Sequence, residues 1–176
     1  MEGRPDSNYL RFLAGLLAAP EADSLAALAE LTDEHTWLRE PLAELSNLGL
    51  PHWQAEHTRL FISNYPKTLC PPFESAYRGG SPTGELKGLY LRLGLEANDI
   101  STDYLGTMLE CAAYLLEEPG FVDNHDLWRE LWDEHLAQWV PRFSNDLVKA
   151  PNCPLLYRRL GEKFSALIQL PEATPQ

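Results

Sequence analysis

The sequence predicts an all-α fold, a single-domain helical bundle of about eight to ten helices that spans residues 1–176. Leucines and aromatic residues recur at spacings of three and four along most of the chain, whereas the alternating pattern of strands is absent. A hydrophobic content of 44% in 176 residues is sufficient for one core. No internal repeat and no linker rich in Gly or Ser divides the chain.

Four helices are predicted in the first part of the chain. Asp6 or Ser7 can cap the first, and the second can start near 23–24. A third is expected to open at 32–34 and to continue beyond Pro41, and Pro51 suits the first residue of a fourth. The apolar residues of these helices are Leu10, Leu13, Leu16, Leu17, Leu25, Leu28, Leu31, Trp37, Leu42, Leu45, Trp53, Leu60 and Phe61.

A loop over 63–82 separates these helices from the next pair. Thr83 is a candidate cap for a short helix that Gly94 would end. Asp99, Ser101 and Thr102 offer caps for the helix that follows. Its apolar residues form one stripe of Leu105, Leu109, Ala112 and Leu116. The Pro-Gly pair at 119–120 should end this helix.

Two further helices are predicted toward the C-terminus. The first should open at 123–126 and carry three tryptophans, Trp128, Trp132 and Trp139, which are expected to pack in the core. Pro141 is expected to interrupt it. After the loop at 151–154, a last helix would carry Leu155, Leu156, Leu160, Phe164 and Leu167.

Residues 70–77, Cys-Pro-Pro-Phe-Glu-Ser-Ala-Tyr, are the most distinctive segment. Adjacent prolines fix φ and remove two backbone donors, so the segment should be a stiff, non-helical loop. A stiff loop that carries aromatic and polar groups loses little entropy on binding, which makes it a good recognition surface. The alternative is that Phe73 and Tyr77 only fill a gap between helices.

The net charge of −12 excludes some classes of partner. Binding to nucleic acid or to an anionic membrane requires clustered Lys and Arg, so neither partner is expected. A basic partner would be attracted, although an acidic surface also serves solubility alone. No apolar run is long enough to span a membrane, so no membrane insertion is expected, and no secretory signal is recognised. Three cysteines about forty residues apart, without a CxxC, favour a reducing cytoplasm.

No catalytic or metal-binding pattern emerges from the sequence. Phosphate-binding glycine loops, GxSxG and HExxH are all absent, and the five histidines show no ligand spacing. Asp103 and Glu110 lie seven residues apart and could act together as acid and base, but a helix cap and a solvated glutamate explain them better. We therefore predict that the protein is not an enzyme and that it holds no metal and no cofactor.

Four segments, in this order, resemble the TorD/DmsD/NarJ family of cytoplasmic chaperones for molybdenum-containing redox enzymes. They are Glu-His-Thr-Arg-Leu-Phe at 56–61, Pro-Pro-Phe-Glu-Ser-Ala-Tyr at 71–77, Asp-Tyr-Leu at 103–105, and His-Leu-Ala-Gln-Trp-Val-Pro-Arg-Phe at 135–143. Met-Leu-Glu at 108–110 and Leu-Tyr at 156–157 extend the match. Each segment is moderately specific, and their joint order makes the resemblance strong.

The resemblance implies an all-helical fold and a chaperone function. The partner would be the catalytic subunit of a molybdopterin-dependent oxidoreductase, bound through its N-terminal leader, often a twin-arginine signal, through its apo form, or both, until the molybdenum cofactor is inserted. Carried over by motif, the client-binding residues are Leu60, Phe61, Pro72, Phe73, Glu74, Ser75, Tyr77, Asp103 and Tyr104. Trp139 also falls on a motif position, where a core role is expected.

This set suits a leader peptide, which has a basic stretch followed by an apolar one. Phe61, Phe73 and Tyr77 would receive the apolar part in a groove. Glu74 and Asp103 would meet the basic part, unless their carboxylates serve as helix or loop caps. Tyr104 and Met108 stand where many family members have His and Glu, which brings the chain closer to the nitrate-reductase branch.

Two other functions remain open from the sequence. The chain could be a helical interaction or regulatory module that docks a different partner through the Phe73 loop. It could also be a helical enzyme that uses Asp103, Glu110 and a histidine around a metal. A monomer and a homodimer are equally compatible with the sequence.

Overall fold

The computed structural model describes residues 5–96, 101–117 and 124–169, and these residues form eight helices and no strand, which confirms the all-α prediction. The helices are α1 (Ser7–Leu17), α2 (Ser24–Leu31), α3 (Arg39–Leu48), α4 (Leu50–His57), α5 (Pro82–Arg92), α6 (Leu105–Glu117), α7 (three consecutive stretches from His125 to Lys149) and α8 (Leu155–Ile168). Short 3-10 turns lie at Thr36–Leu38 and Glu74–Ala76.

Two helices contain π-helical stretches with a wider hydrogen-bond spacing. α4 continues as a π turn over Thr58–Ile62. α7 is α-helical over His125–Arg129, π-helical over Glu130–Leu136 and α-helical again over Ala137–Lys149. The sequence pattern did not predict either stretch. Such insertions are frequently found at functional sites, because they redirect side chains that a regular helix would place elsewhere.

The predicted starts of the early helices agree with the structure to within one residue, except for the third; α4 begins at Leu50, one residue before Pro51. Asp6 caps α1 by accepting a hydrogen bond from the Asn8 N–H at 2.7 Å, and α2 begins at Ser24. α3 begins at Arg39 rather than at 32–34. His35 explains the difference: its backbone is non-helical (φ −121°, ψ 80°), and its ring stacks on Phe12 with the centroids 3.9 Å apart.

The predicted boundaries of the helices after the loop agree with the structure only in part. α5 starts at Pro82, so Thr83 lies in its first turn rather than at its cap, and Gly94 follows it with a φ of 72°. The predicted breaker at 119–120 and the candidate caps Asp99 and Asp123 lie outside the described residues.

Pro141 does not interrupt α7, so that prediction is wrong. A proline within a helix removes one backbone donor and crowds the carbonyl four residues earlier, which here belongs to Ala137. The π stretch ends at Leu136, the residue before Ala137, so the hydrogen-bond spacing already changes at this point. The proline is therefore accommodated where regular hydrogen bonding is already altered.

One buried apolar cluster joins the helices, and its most extensive contacts lie between α7 and α8 and between α1 and α6. Trp128, Trp132 and Trp139 all belong to it, as predicted. The three cysteines, Cys70, Cys111 and Cys153, are free and buried. Burial raises their thiol pKa values to about 12, 12 and 11, respectively, so the thiolate form is suppressed. No helix among the described residues is long and apolar enough to cross a membrane.

Candidate functional site

The loop at 72–77 lies against the start of α6. Phe73 and Tyr104 form an isolated antiparallel bridge. The Glu74 N–H donates to the Asp103 carbonyl at 3.1 Å, and the Leu105 N–H donates to the Pro72 carbonyl at 2.9 Å. The Phe73 and Tyr104 rings lie 5.6 Å apart between their centroids. Two segments about thirty residues apart in the sequence therefore share one local structure.

The Asp103 carboxylate holds the turn that follows Phe73. Its Oδ2 accepts a hydrogen bond from the Ser75 N–H at 2.8 Å, and Asp103 is only 5% exposed. Asp103 thus caps the 3-10 turn at Glu74–Ala76, which is the loop-cap alternative raised by the sequence. Its carboxylate is already occupied by a backbone donor.

Glu74 is completely buried, and its carboxylate is bonded to the side chains of His135 and Arg78. The Nδ1 of His135 lies 2.9 Å from each carboxylate oxygen. Arg78 Nη1 donates to Oε2 at 2.8 Å and also to the Glu134 carbonyl at 2.9 Å. A buried carboxylate without partners would be costly, so these donors are required for the loop to lie where it does.

His135 was absent from the residues predicted for the site, although it begins the fourth motif. It is 1% exposed and lies in the π-helical stretch of α7. Its Nε2 faces Glu85 Oε2 on α5 at 3.6 Å. A solitary histidine in a helical pattern usually has a core role, and only its position in the motif distinguished this one.

Gly106 is a second residue that the sequence did not single out. A Cβ at this position would overlap the ring of Tyr104, within the first turn of α6. The absence of a side chain therefore allows the Tyr104 ring to lie close to the helix backbone. The signal in the sequence was the adjacent glycine in Asp-Tyr-Leu-Gly.

Tyr77 closes the loop against α7. Its ring stacks on Trp139 at 5.6 Å and meets Phe143 edge-on at 6.3 Å. Arg142 donates to the Tyr77 carbonyl, and its guanidinium lies 5.8 Å from the centre of the ring. Burial, together with the Asp146 carboxylate, raises the pKa of the Tyr77 phenol, so it stays neutral.

Leu60 and Phe61 lie in the core rather than on the surface. Both are almost completely buried, and the Phe61 ring packs on Tyr157 at 5.1 Å and on Phe143 at 6.4 Å. The Leu60 carbonyl accepts from the Cys70 N–H at 2.7 Å, which fixes the beginning of the loop. They support the loop from behind, so the expected groove contact of Phe61 is not available in this structure.

The residues that reach solvent define what we call the Phe73 surface. Ser75 and Ala76 are exposed, and the rings of Phe73, Tyr77 and Tyr104 are partly buried. The surface thus joins three aromatic rings to a short polar turn, and internal hydrogen bonds hold it from both α6 and α7. It is suited to binding an apolar chain segment, because aromatic rings supply contact area at little entropic cost.

The carboxylates proposed for a metal site have other partners. Glu110 is exposed and pairs with Arg11, which also pairs with Glu117 at 2.7 Å. Asp103 precedes the helix and is directed to the Ser75 N–H. Within the part of the chain that the structure describes, no three His, Cys, Asp or Glu side chains are grouped as metal ligands.

Three comparisons with known proteins bear on this site. The family model described as the nitrate reductase delta subunit matches residues 15–145. The chaperone protein YcdY of Escherichia coli (strain K12) is 28% identical over 89 residues, which are 51% of this chain and 47% of that protein, so the match spans about half of the relative's length. A crystal structure from Archaeoglobus fulgidus, described as a redox enzyme maturation protein, has a similar fold: the TM-score is 0.64 at 20% identity, with 96% of each chain covered.

Proposed function

This chain belongs to the nitrate reductase delta subunit family of redox-enzyme maturation chaperones, and on that premise we propose that it is a cytoplasmic assembly chaperone for a molybdopterin-dependent oxidoreductase. It binds the N-terminal leader of the catalytic subunit, the apo form of that subunit, or both. It holds this client until the molybdenum cofactor is inserted and then releases it. Residues 1–176 act as one domain in this proposal, as a monomer or a homodimer.

The observation that carries the proposal is the convergence of three family motifs on the loop that presents the Phe73 surface. The segments at 71–77, 103–105 and 135–143 are far apart in the sequence, yet their side chains and backbones bond to one another. Packing alone would not require so many polar contacts within a loop. A preorganised recognition loop does require them, because any disorder would weaken binding.

The apolar part of a leader peptide fits the Phe73 surface. An amphipathic or extended segment can lay its apolar side chains across the half-buried rings of Phe73, Tyr77 and Tyr104. Such rings near the centre of an interface commonly supply most of the binding energy. Ser75 and Ala76, which are small and exposed, lie in the turn next to these rings.

The basic part of the leader requires a revision of the role expected for Glu74 and Asp103. Both carboxylates are buried and already bonded within the protein, so they shape the loop rather than contact the client. Glu85 and Glu134 are exposed carboxylates next to the same network. We assign the charge contacts to them, assisted by the net charge of −12.

The proposal assigns no catalytic reaction to the chain. The titratable groups at the site, Glu74, Asp103 and His135, are occupied in holding the loop. A catalytic acid or base must reach the substrate, and these groups are almost completely buried. The metal-dependent alternative also lacks support, since Glu110 pairs with Arg11.

A pull-down from the native host tests the proposal. Tagged wild-type protein, Phe73→Ala and Tyr65→Ala are compared by mass spectrometry, in cells starved of molybdenum so that apo-enzyme accumulates. Tyr65 is the control, because it is an aromatic residue 94% exposed that lies outside the Phe73 surface. We expect the wild-type protein and Tyr65→Ala to recover a molybdoenzyme catalytic subunit, and Phe73→Ala to fail to recover it.

The size of the effect can be estimated from typical aromatic anchors. Truncation of Phe73 should weaken client binding by about 1–3 kcal/mol. Recovery of the subunit by all three proteins would refute the assignment of the surface. If none of the three proteins recovered the subunit, the assignment of a molybdoenzyme as the client would be refuted. An interaction module with another partner would then become the better hypothesis.

A further inference from the structure

The loop that presents the Phe73 surface is held by polar contacts from α7 as well as by the start of α6. The only regular structure within the loop is the 3-10 turn at Glu74–Ala76, which spans three residues. Such a short turn cannot fix a surface alone. The polar contacts from α7 come from His135 to Glu74, from Arg142 to the Tyr77 carbonyl, and from the Glu134 carbonyl to Arg78.

The buried carboxylate of Glu74 is the point at which these contacts meet. His135 approaches both of its oxygens, and Arg78 approaches one of them while also reaching the backbone of α7. On the other side of the imidazole, Glu85 extends the network to α5. One histidine therefore joins the loop, α7 and α5.

Neither His135 nor Glu74 can touch a client, because they are 1% and 0% exposed. Any influence of these residues on binding must act through the adjacent ring of Phe73 and through Tyr77. The π-helical stretch of α7 strengthens this argument, since it contains both His135 and the Glu134 carbonyl that Arg78 reaches. Helical insertions of this kind are often associated with function.

We propose that His135 and Arg78 are positioning residues of the binding site: they hold the Glu74 carboxylate on α7 and thereby keep Phe73 and Tyr77 in the arrangement that the client contacts. The inference rests on the proposed function, which it deepens by assigning the geometry of the surface to a buried network. Loss of the network leaves the loop distributed over several conformations, of which one binds.

A positioning role has a kinetic signature that distinguishes it from direct contact. When only a fraction of molecules has the binding-competent loop, the apparent affinity falls by that fraction. A tenfold smaller population should therefore lower the association rate constant about tenfold and leave the dissociation rate constant nearly unchanged. Loss of a contact such as Phe73 should instead raise the dissociation rate constant.

Two pairs of variants separate the hydrogen bond from the packing. His135→Leu removes both ring nitrogens. His135→Asn places an amide donor close to the position of Nδ1, so it should restore much of the hydrogen bonding to Glu74 that His135→Leu loses. Arg78→Met and Arg78→Lys form a milder pair on the loop side, useful if His135→Leu does not fold. Thermal unfolding identifies the variants that remain folded.

The first measurement needs no client. Hydrogen exchange in the free protein follows the amides of 75–77, where the Ser75 N–H donates to Asp103 and the Tyr77 N–H donates to the Glu74 carbonyl. We expect faster exchange in His135→Leu and Arg78→Met and slower exchange again in His135→Asn and Arg78→Lys. Exchange that stays at the wild-type rate in the folded variants would overturn the inference.

The second measurement is stopped-flow binding of a fluorescein-labelled peptide, the first 30 or so residues of the subunit recovered with wild type. Slower association in His135→Leu or Arg78→Met, with unchanged dissociation, supports positioning. Faster dissociation alone, or no change, overturns it. Failure of wild type to bind this peptide refutes the leader-binding part of the proposed function instead, and the exchange experiment still decides the role of His135.

Discussion

His57 is a buried histidine whose proton uptake should affect stability. It is 5% exposed, its Nε2 lies 3.0 Å from the Leu17 carbonyl, and burial lowers its pKa below the usual 6.5. The folded state therefore binds fewer protons than the unfolded state near this pH. Stability from the neutral ring is fully present above pH 6.5 and declines as the pH falls below that value.

Replacement of His57 by Gln tests this linkage. Gln can still donate to the Leu17 carbonyl from nearly the same position, but it cannot be protonated. We expect the free energy of unfolding, measured by urea titration between about pH 7.5 and pH 5, to depend less on pH than in wild type. His52→Gln is the control, because His52 is exposed in the same helix; an equal flattening in both variants would contradict the prediction.

Trp139 should contribute far more to stability than a partly exposed tryptophan. It is completely buried and packs on Tyr77 and Phe143. Trp139→Ala should lower the free energy of unfolding by about 3–5 kcal/mol. Trp37 is only partly buried beneath Lys163, so Trp37→Ala should cost clearly less in the same denaturant titration. Similar losses in the two variants would show that Trp139 is not a core residue.

The sequence motifs predicted which residues belong to the candidate site, but they predicted the role of each residue only in part. The motifs named Glu74 and Asp103, and the structure shows what each carboxylate contacts: His135, which is 61 residues away, and the Ser75 N–H, which is 28 residues away. Periodicity and spacing describe near neighbours, so they could not reveal these partners. For the same reason the sequence could not show that Leu60 and Phe61 support the loop from the core.

At the scale of helices, the close approach of α7 and α8 depends on Gly161. A Cβ there would lie 3.0 Å from the Ser144 carbonyl oxygen and 3.0 Å from a methyl carbon of Val148. Gly161→Ala should destabilise the protein, because overpacking costs about 1–3 kcal/mol and outweighs the gain in helix propensity of about 1 kcal/mol.

Gly15 provides the matched control for Gly161. It lies in α1, it is exposed, and a Cβ at this position would meet no atom within 4 Å. Gly15→Ala should therefore raise the free energy of unfolding by about 0.5–1 kcal/mol. Opposite signs for the two substitutions in thermal or urea unfolding are expected; stabilisation by both would mean that α7 and α8 can separate without cost.

Helices with a strong apolar stripe were predicted well, and irregular backbone was not. The apolar stripes of α1, α6 and α8 contain several leucines that are buried in the structure, and this pattern was sufficient to predict each helix. Failures occurred where tertiary contacts determine the backbone. His35 stacks on Phe12 and delays α3, and α7 continues past Pro141 next to a π stretch. Local propensity cannot account for either feature, because both depend on neighbouring structure.

At the scale of the whole molecule, 26 acidic residues outnumber 14 basic ones, which gives the chain a net charge of −12. Several arginines are already paired, as Arg11 is with Glu117 and Arg92 is with Glu130. The remaining negative charge should attract a basic leader peptide over distances set by the ionic strength. The Debye length falls from about 30 Å at 0.01 M salt to about 3 Å at 1 M.

The association rate constant for the leader peptide should therefore fall about tenfold or more as salt is raised across this range, with little change in the dissociation rate constant. The measurement is stopped-flow fluorescence with the labelled N-terminal peptide of the recovered subunit. A peptide with its arginines replaced by glutamine is the control, because the apolar contacts to Phe73 and Tyr104 are kept while the attraction is removed. If both peptides showed the same salt dependence, the acidic surface would serve solubility, and recognition would depend on the aromatic rings alone.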